Sequence, residues 1–226
     1  MGQKKIKNYA IILASGTGSR FGGEQPKQFV KITDKTILEH SVSAFEQSSK
    51  IDAIIVVITP GYEKIAKDLL KNYKKVVKIL TGGEIRKESS YIGINSVDET
   101  EANVLIHDCA RPLVSQRIIS ECVDALEKYD AVDTAIPSSD TILEVENNII
   151  QDIPNRAKLM RSQTPQCFKL SVIKKAHELS RKDTNFTDDC GLVVKYGLCP
   201  VYIVKGDENN IKITFHSDIN FCKNIL

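Results

Sequence analysis

Five apolar, β-branched runs separated by segments of helical periodicity constrain the fold of this 226-residue chain. The runs lie at residues 9–14, 53–59, 76–80, 104–106 and 131–137. A continuous apolar run is typical of a strand that is buried on both faces, and strands that alternate with helices form βαβ units. The sequence therefore predicts an α/β fold with a doubly wound, mostly parallel, Rossmann-like sheet.

The segments between these runs predict amphipathic helices. Thr36 and Glu39 form a capping-box pattern, which predicts a helix that ends near Gln47. Apolar residues three and four positions apart predict further helices, and Val201 begins one more apolar run typical of a strand. The predicted helices cover residues 62–73, a stretch after Gly83 that runs through Val97, residues 118–126, residues 171–180, a segment opened by Thr187, and residues 217–225.

One stretch departs from the alternating pattern. Residues 141–145 and 149–153 flank a polar segment at 146–148, which predicts a β-hairpin. An isolated hairpin is marginally stable in water, so we expect this one to pack against a second subunit. The sequence predicts one domain over residues 1–226 with a dimerisation arm at about residues 138–160.

Charge and composition exclude several classes of protein. The 31 Lys and Arg against 29 Asp and Glu give a net charge of +2, which does not favour binding to nucleic acid or to a membrane surface. No apolar run approaches the roughly 18 residues of a membrane-spanning helix. The apolar run after Lys7 is too short for a signal peptide. The six cysteines form no C-x-x-C pair, which argues against zinc and favours buried thiols in the cytoplasm.

The strongest functional pattern is the glycine-rich loop that follows the first predicted strand. Gly16 and Gly18 allow backbone N–H groups to approach a phosphate, and Arg20 and Lys27 add positive charge. Phe21 stands where a Rossmann dinucleotide fingerprint has its third glycine, and no lysine follows Gly23 as a Walker A loop requires. The alternative interpretation is a surface turn with solvated charges.

Two further motifs follow predicted strands. Asp108 follows residues 104–106 with only His107 between, and its carboxylate suits Mg²⁺ bound to phosphate oxygens, although such an aspartate is more often a cap. His107 is more typical of a structural histidine than of a catalyst. Gly82 and Gly83 allow close approach to a flat base that Ser89 can hydrogen-bond, with an ordinary helix start as the alternative.

Three weaker motifs lie later in the chain. They are residues 153–156 with 163–166, residues 186–189, and residues 209–214. Each has an ordinary structural interpretation: Arg156 as a surface cation, Thr187 as a helix cap, and Lys212 as an exposed strand residue.

In this order and spacing the six motifs resemble the cytidylyltransferases that activate polyol phosphates. The resemblance covers about residues 9–226, and its most specific parts are residues 26–28, 107–112 and 163–166. It implies a doubly wound sheet with a projecting β-arm and a homodimer made by exchange of the arms. It also implies a reaction in which CTP and a polyol phosphate give a CDP-polyol and pyrophosphate, with Mg²⁺.

The resemblance also implies a role for particular residues. It implies nucleotide contacts from Ala14, Ser15, Gly16, Gly18, Gly82, Gly83 and Ser89, catalytic cations at Arg20, Lys27 and Lys212, magnesium binding by Asp108, and substrate binding by Asp108, Arg111, Arg156 and Thr187. Arg156 is expected to reach across the dimer. Ser15 replaces the more common alanine or glycine, and Asn209 stands where relatives often carry an acid, which leaves a second metal carboxylate open.

The acceptor divides the family into two branches. Residues 130–137, Asp140 and Asn155 beside Arg156 resemble the ribitol-phosphate branch, whereas Ala110 and residues 187–189 resemble the methylerythritol-phosphate branch. We predict D-ribitol 5-phosphate or a similar pentitol phosphate, with 2-C-methyl-D-erythritol 4-phosphate as the alternative. A nucleotide-binding module without turnover is a third possibility, against which the intact Lys27, Asp108 and Lys212 argue.

Overall fold

The computed structural model describes residues 5–16, 18, 20–22, 25–183, 186 and 188–226. Its strands are β1 Lys7–Ala14, β2 Lys31–Ile32, β3 Lys35–Thr36, β4 Ala53–Ile58, β5 Val76–Thr81, β6 Ala102–Asp108, β7 Ala131–Pro137, β8 Glu144–Glu146, β9 Ile149–Asp152, β10 Met160–Ser162, β11 Gln166–Lys169 and β12 Val201–Lys205. Its helices are α1 Ile37–Gln47, α2 Glu63–Leu70, α3 Arg86–Asn95, α4 Gln116–Ala125, α5 Leu170–Leu179, α6 Asp189–Lys195 and α7 His216–Ile225.

Eight of the strands form one mixed sheet. The order is β10, β7, β11, β6, β1, β4, β5, and β12 pairs with β7 outside this path. β1 pairs in parallel with β4 and β6, β4 with β5, and β12 with β7, while β10 and β11 run antiparallel to their neighbours. The predicted α/β fold with a mostly parallel sheet is confirmed.

The two faces of the sheet carry separate apolar layers. Successive side chains of a strand point to opposite faces. Ala10 and Ile12 of β1 accordingly pack in a layer with residues of α1, α2, α4 and α7, whereas Ile11 and Leu13 pack in a layer with residues of α3, α5 and α6. Because both faces are covered, the predicted apolar runs in β1, β4 and β6 are buried throughout, whereas β5 lies at the edge of the sheet and is partly exposed.

The start of α1 shows how local sequence determines these elements. The Thr36 hydroxyl accepts the Glu39 N–H at 3.2 Å, and the Glu39 carboxylate accepts the Thr36 N–H at 2.9 Å. The predicted capping box is therefore confirmed. No helix in the described part of the chain is long and apolar enough to cross a membrane.

The structure also corrects several boundaries. α2 ends at Leu70 rather than at residue 73, and α3 ends at Asn95 rather than at Val97. The N-cap of α6 is Asp188, whose side chain accepts the Gly191 N–H at 3.0 Å, so the cap is not Thr187, which lies outside the described residues. The sequence also missed β2, β3, β10 and β11, which are two to four residues long.

The predicted hairpin is present as β8 and β9, but its first strand covers residues 144–146 rather than 141–145 and its turn is one residue shorter than predicted. Its turn consists of Asn147 and Asn148, which adopt positive φ angles of 51° and 63°. Two consecutive left-handed residues give a turn whose twist matches that of the flanking strands, and asparagine tolerates this conformation. Every residue of β8 and β9 is exposed, so within this chain the hairpin projects from the sheet.

Candidate active site

A cavity of about 300 Å³ lies beyond the carboxyl ends of β1 and β6. Ligands of open parallel sheets bind at this edge. The cavity is lined by eight residues that the sequence predicted for the site, namely Ala14, Ser15, Gly16, Gly18, Arg20, Lys27, Asp108 and Lys212. β1, the loop after it, β6 and the segment before α7 therefore converge at one place.

Gln28 holds the glycine-rich loop against the sheet. Its side chain is buried and donates to the Ala14 carbonyl and to the Thr59 hydroxyl, each at 2.7 Å. The neighbouring Lys27 ammonium donates to the Ile213 carbonyl at 2.7 Å. Burial and the nearby Lys212 charge lower the pKa of Lys27.

The predicted base-binding residues lie beside the cavity wall. The Ser15 hydroxyl donates to the Ser89 hydroxyl oxygen at 2.7 Å, and that oxygen also accepts the Gly83 N–H at 3.2 Å. A Cβ on Gly82 would lie 2.4 Å from the Ser15 Cβ, so this position requires glycine. The loop after β5 therefore lies directly against the loop after β1.

Asp108 is held between two cations. Its Oδ1 accepts from Arg86 Nε at 3.0 Å, and its Oδ2 accepts from the Lys212 ammonium at 2.6 Å. Burial acts to raise the pKa of this carboxyl, but the two positive charges outweigh it and hold the pKa well below its usual range. Asp108 is therefore ionised at neutral pH.

His107 supports this aspartate from beneath the cavity. The Thr164 hydroxyl oxygen accepts the Asp108 N–H at 3.1 Å and lies 2.9 Å from His107 Nδ1, while His107 Nε2 lies 3.0 Å from the Arg111 carbonyl. A carbonyl only accepts, so Nε2 carries the proton and Nδ1 accepts from Thr164. Burial lowers the pKa of His107 to about 4, which keeps the ring neutral. The expected structural role of His107 agrees with this geometry.

A hydrogen-bonded loop holds Lys212 in the cavity. Asn210 is buried and donates to the Gln163 side-chain oxygen at 3.2 Å and to the Thr164 carbonyl at 2.9 Å. On the other side of the lysine, the Ile213 N–H donates to the Ala110 carbonyl at 2.8 Å. Lys212 lies outside any strand, contrary to its structural interpretation as a strand residue.

The donor set at the cavity fits a metal ion that is carried by the substrate. Within the described ranges, no three His, Cys, Asp or Glu side chains gather to form a complete metal site. Asp108 offers one carboxylate beside Arg20, Lys27 and Lys212. Mg²⁺ is commonly held by one or two carboxylates together with substrate phosphates. The Asp108 carboxylate among these cations suits that arrangement, and Glu84 also lines the cavity.

Residues 8–226 match the family described as IspD: 2-C-methyl-D-erythritol 4-phosphate cytidylyltransferase. The chain belongs to this family. It is therefore a cytidylyltransferase, as the six motifs implied. It is 42% identical over 229 residues to the 2-C-methyl-D-erythritol 4-phosphate cytidylyltransferase of Thermobifida fusca, a match that covers 96% of this chain and 92% of that protein.

A second relative of this IspD-family chain is named for a different acceptor. The chain is 43% identical over 225 residues to the bifunctional ribulose 5-phosphate reductase/CDP-ribitol pyrophosphorylase Bcs1 of Haemophilus influenzae, covering 95% of this chain but 47% of that protein. Among solved structures, the 4-diphosphocytidyl-2C-methyl-D-erythritol synthase of Anaerococcus prevotii superposes with a TM-score of 0.87 at 29% identity. That match covers 97% of this chain and 96% of the other.

Two residues that the resemblance assigned to substrate, Arg111 and Arg156, do not line the cavity in this IspD-family chain. Arg111 donates to the Asn210 carbonyl at 2.8 Å and to the Ser162 carbonyl at 3.3 Å. Arg156 lies at the base of the arm and donates to the Ser139 carbonyl at 3.1 Å. Thr187 lies outside the described residues. The geometry gives Arg111 hydrogen bonds to backbone carbonyls and leaves Arg156 outside the lining of its own cavity.

Sequence reasoning gave no role to several side chains that build the site. Arg86 lines the cavity and bonds Asp108, while Thr164 and Gln28 hold the backbone on either side. Gln166 accepts the Asp189 N–H at 3.0 Å and donates to Asp188 at 2.9 Å, which ties α6 to β11. Each of these residues lies within a motif that the sequence analysis recognised. The motif alone did not show which distant residue the side chain contacts, and that contact defines its role.

Proposed function

We propose that this chain transfers the cytidylyl group of CTP to 2-C-methyl-D-erythritol 4-phosphate. The observation that carries the proposal is the match over residues 8–226 to a family named for that acceptor, together with the cationic cavity at the carboxyl edge of the sheet. The motifs alone had favoured ribitol 5-phosphate, and the comparisons support the alternative better.

The reaction joins two polyanions. An oxygen of the acceptor phosphate attacks the α-phosphorus of CTP, a new P–O bond forms, the bond between the α-phosphorus and the bridging oxygen breaks, and pyrophosphate leaves. The nucleophile is already an anion and needs no general base, consistent with the neutral, fully bonded His107. Positioning and charge neutralisation carry a reaction of this kind.

The residues of the cavity supply those two requirements. Arg20 and Lys27 bind the triphosphate, assisted by backbone groups of the glycine-rich loop, while Lys212 contacts the α-phosphate. Asp108 would hold Mg²⁺, and the ion would supply charge neutralisation to the triphosphate and to the departing pyrophosphate. The base lies against Gly82, Gly83 and Ser89, which are next to Ser15.

The arm completes the acceptor site of a second subunit. Val145 and Ile149 are 56% and 64% exposed, and their apolar surface needs a partner. Exchange of identical arms in a two-fold homodimer buries that surface and brings Arg156 to the partner's cavity. Thr187 is proposed to contact the same acceptor.

Ribitol 5-phosphate is the second candidate acceptor. The Haemophilus influenzae relative with 43% identity supports it, as does the Asn155–Arg156 pair in the arm. The test measures pyrophosphate release with CTP and each polyol phosphate. A higher kcat/KM with 2-C-methyl-D-erythritol 4-phosphate supports the proposal, whereas a higher value with ribitol 5-phosphate replaces it. Release with neither compound, while CTP still binds, would favour a binding module.

A further inference from the structure

Four charged side chains form a row of alternating sign that runs from the cavity into the protein. Lys212 contacts Asp108, Asp108 contacts Arg86, and Arg86 Nη1 donates to Oδ2 of Asp189 at 2.7 Å. We infer that Asp189 is a positioning residue for cytidylyl transfer and acts through Arg86 on the carboxylate of Asp108. The inference rests on the proposed role of Asp108.

Each oxygen of the two carboxylates has its own partners. Asp108 uses Oδ1 for Arg86 and Oδ2 for Lys212. Asp189 uses Oδ2 for Arg86 and Oδ1 for the Ser90 hydroxyl at 2.6 Å and for His177 Nε2 at 2.9 Å. Arg86 therefore fixes the orientation of the Asp108 carboxylate through Oδ1, and Oδ2, which Lys212 contacts, is the oxygen that would hold the metal of the nucleotide complex.

Arg86 is suited to this task because its planar fork spans two carboxylates. Nε points to Asp108 and Nη1 points to Asp189, a pair of directions that a lysine ammonium on a flexible stem does not reproduce. Without Asp189, the guanidinium would keep a charged partner on one side only. Its position, and with it that of Asp108, would then be less well fixed.

Asp189 is itself held rigidly. Its side chain is 1% exposed, and its backbone N–H donates to the Gln166 side chain at 3.0 Å at the first residue of α6. A buried carboxylate is costly unless it is paired and hydrogen-bonded, and here both oxygens are satisfied. The anchor of Arg86 therefore belongs to the framework of the protein and not to a loop at the cavity.

The principal test compares two variants that remove different contacts of Asp189. Asp189→Asn removes the charge that faces Arg86, whereas the matched control Ser90→Ala removes a hydrogen bond to Oδ1 and leaves Oδ2 intact. We expect kcat of Asp189→Asn to fall roughly tenfold or more, as is typical of a misplaced reacting group. Ser90→Ala should keep kcat within about twofold, while its melting temperature shows the lost hydrogen bond.

A binding measurement separates positioning from activity. Electron paramagnetic resonance of free Mn²⁺, titrated with protein at fixed CTP, reports how tightly the metal–nucleotide complex is held. Weaker Mn²⁺–CTP binding in Asp189→Asn but not in Ser90→Ala supports the inference. If Mn²⁺–CTP binding weakens equally in both variants, the cause is general destabilisation and the inference is wrong. If binding weakens in neither variant, Asp189 has no effect on the metal–nucleotide complex and the inference is also wrong.

Arg86→Lys provides a second, independent variant should Asp189→Asn melt below the assay temperature. Arg86→Lys should show the same loss of kcat as Asp189→Asn. The double variant should lose no more kcat than either single variant, because both substitutions disrupt the same connection from Asp189 through Arg86 to Asp108. If the losses of kcat multiply in the double variant, the inference is wrong.

Asp108→Asn separates failure of the inference from failure of the proposed site. If Asp108→Asn retains full activity, the role of Asp108 is wrong; if it is inactive while Asp189→Asn behaves as wild type, only the inference fails.

Discussion

The Lys212 ammonium lies 2.6 Å from Oδ2 of Asp108, a residue 104 positions earlier in the chain. Lys212 and Asp108 both line the cavity beside Lys27. The ion pair joins a proposed phosphate contact to a proposed metal ligand before any substrate is bound. On the proposed mechanism, substrate binding exchanges this contact for contacts to phosphate and metal, so we expect both side chains to have a large effect on turnover.

Loss of either lysine proposed to bind phosphate should reduce turnover and leave the fold intact. We expect Lys27→Ala and Lys212→Ala each to lower kcat about a hundredfold, which is typical for removal of one preorganised charge contact. Pyrophosphate release measures the rate, and thermal melting checks the fold. Lys31→Ala, which removes an exposed lysine from β2, is the control and should change little. Near-normal rates for Lys27→Ala and Lys212→Ala would contradict the phosphate assignment.

The enzyme should prefer CTP to UTP and to the purine triphosphates. The proposed base site presents backbone groups at Gly82 and Gly83 and the Ser89 hydroxyl in fixed positions. A site with fixed donors and acceptors strongly rejects a base whose edge does not match. The measurement is kcat/KM for the four triphosphates with one acceptor, and equal values for CTP and ATP would refute the assignment.

Gly82 should not tolerate a side chain. The added Cβ of Gly82→Ala would lie 2.4 Å from the Ser15 Cβ and 2.9 Å from the Ser89 hydroxyl oxygen. Displacing those two residues disturbs the proposed base site, so we expect KM for CTP to rise roughly tenfold or more. Calorimetric titration with CTP checks the affinity, and unchanged binding would place the base elsewhere.

The arm should supply Arg156 to the partner subunit. Arg156→Ala mixed with Asp108→Ala gives hybrid dimers in which one site loses both residues and the other keeps both. With random mixing, about a quarter of wild-type activity should return. The control mixture of Lys27→Ala with Asp108→Ala should not recover, because each hybrid site then carries one defect. A monomer in solution, or no recovery in the first mixture, would show that the arm acts otherwise.

Asp133 should make stability depend on pH. Burial raises the pKa of this carboxyl to about 6, despite hydrogen bonds from Ser162 and Gln166. Because the folded-state pKa lies above the unfolded value near 4, its favourable contribution is present below pH 4 and is lost as pH rises through 6. Asp133→Asn should therefore gain stability relative to wild type between pH 4 and pH 7, on the order of 2 kcal/mol.

Urea unfolding at several pH values measures this difference. The exposed Asp130 provides the matched control, since Asp130→Asn leaves the buried carboxyl in place. A constant stability difference between Asp133→Asn and wild type across this range would show that Asp133 does not cause the dependence.

Elements with local signals were predictable from sequence, and elements that depend on distant partners were not. β1 follows from six consecutive apolar residues, and α1 follows from the Thr36–Glu39 capping box. β11 has only four residues, and its strand geometry comes from pairing with β6 and β7. Short strands of this kind have no periodicity to detect.

The residues of the candidate site also fall into two groups, those with a local sequence signal and those that depend on distant partners. The glycine-rich loop and Asp108 lie at strand ends, where the sequence pattern itself indicates a ligand. Arg86 and Asp189 are 103 residues apart, and their contact exists only once α3 and α6 pack on one face of the sheet. The cap of α6 was misplaced by one residue because Thr187 and Asp188 are both good N-caps.

The arm is an insertion whose two ends are joined at the sheet. Pro137 of β7 pairs with Met160 of β10, and the Ser138 N–H donates to the Leu159 carbonyl at 3.1 Å, so the chain leaves and returns at the same point. Closing a shorter or longer loop across such a stem changes the free energy of folding only slightly. The length and composition of the arm can therefore diverge, in evolution or by grafting, without altering the strand order that builds the nucleotide cavity.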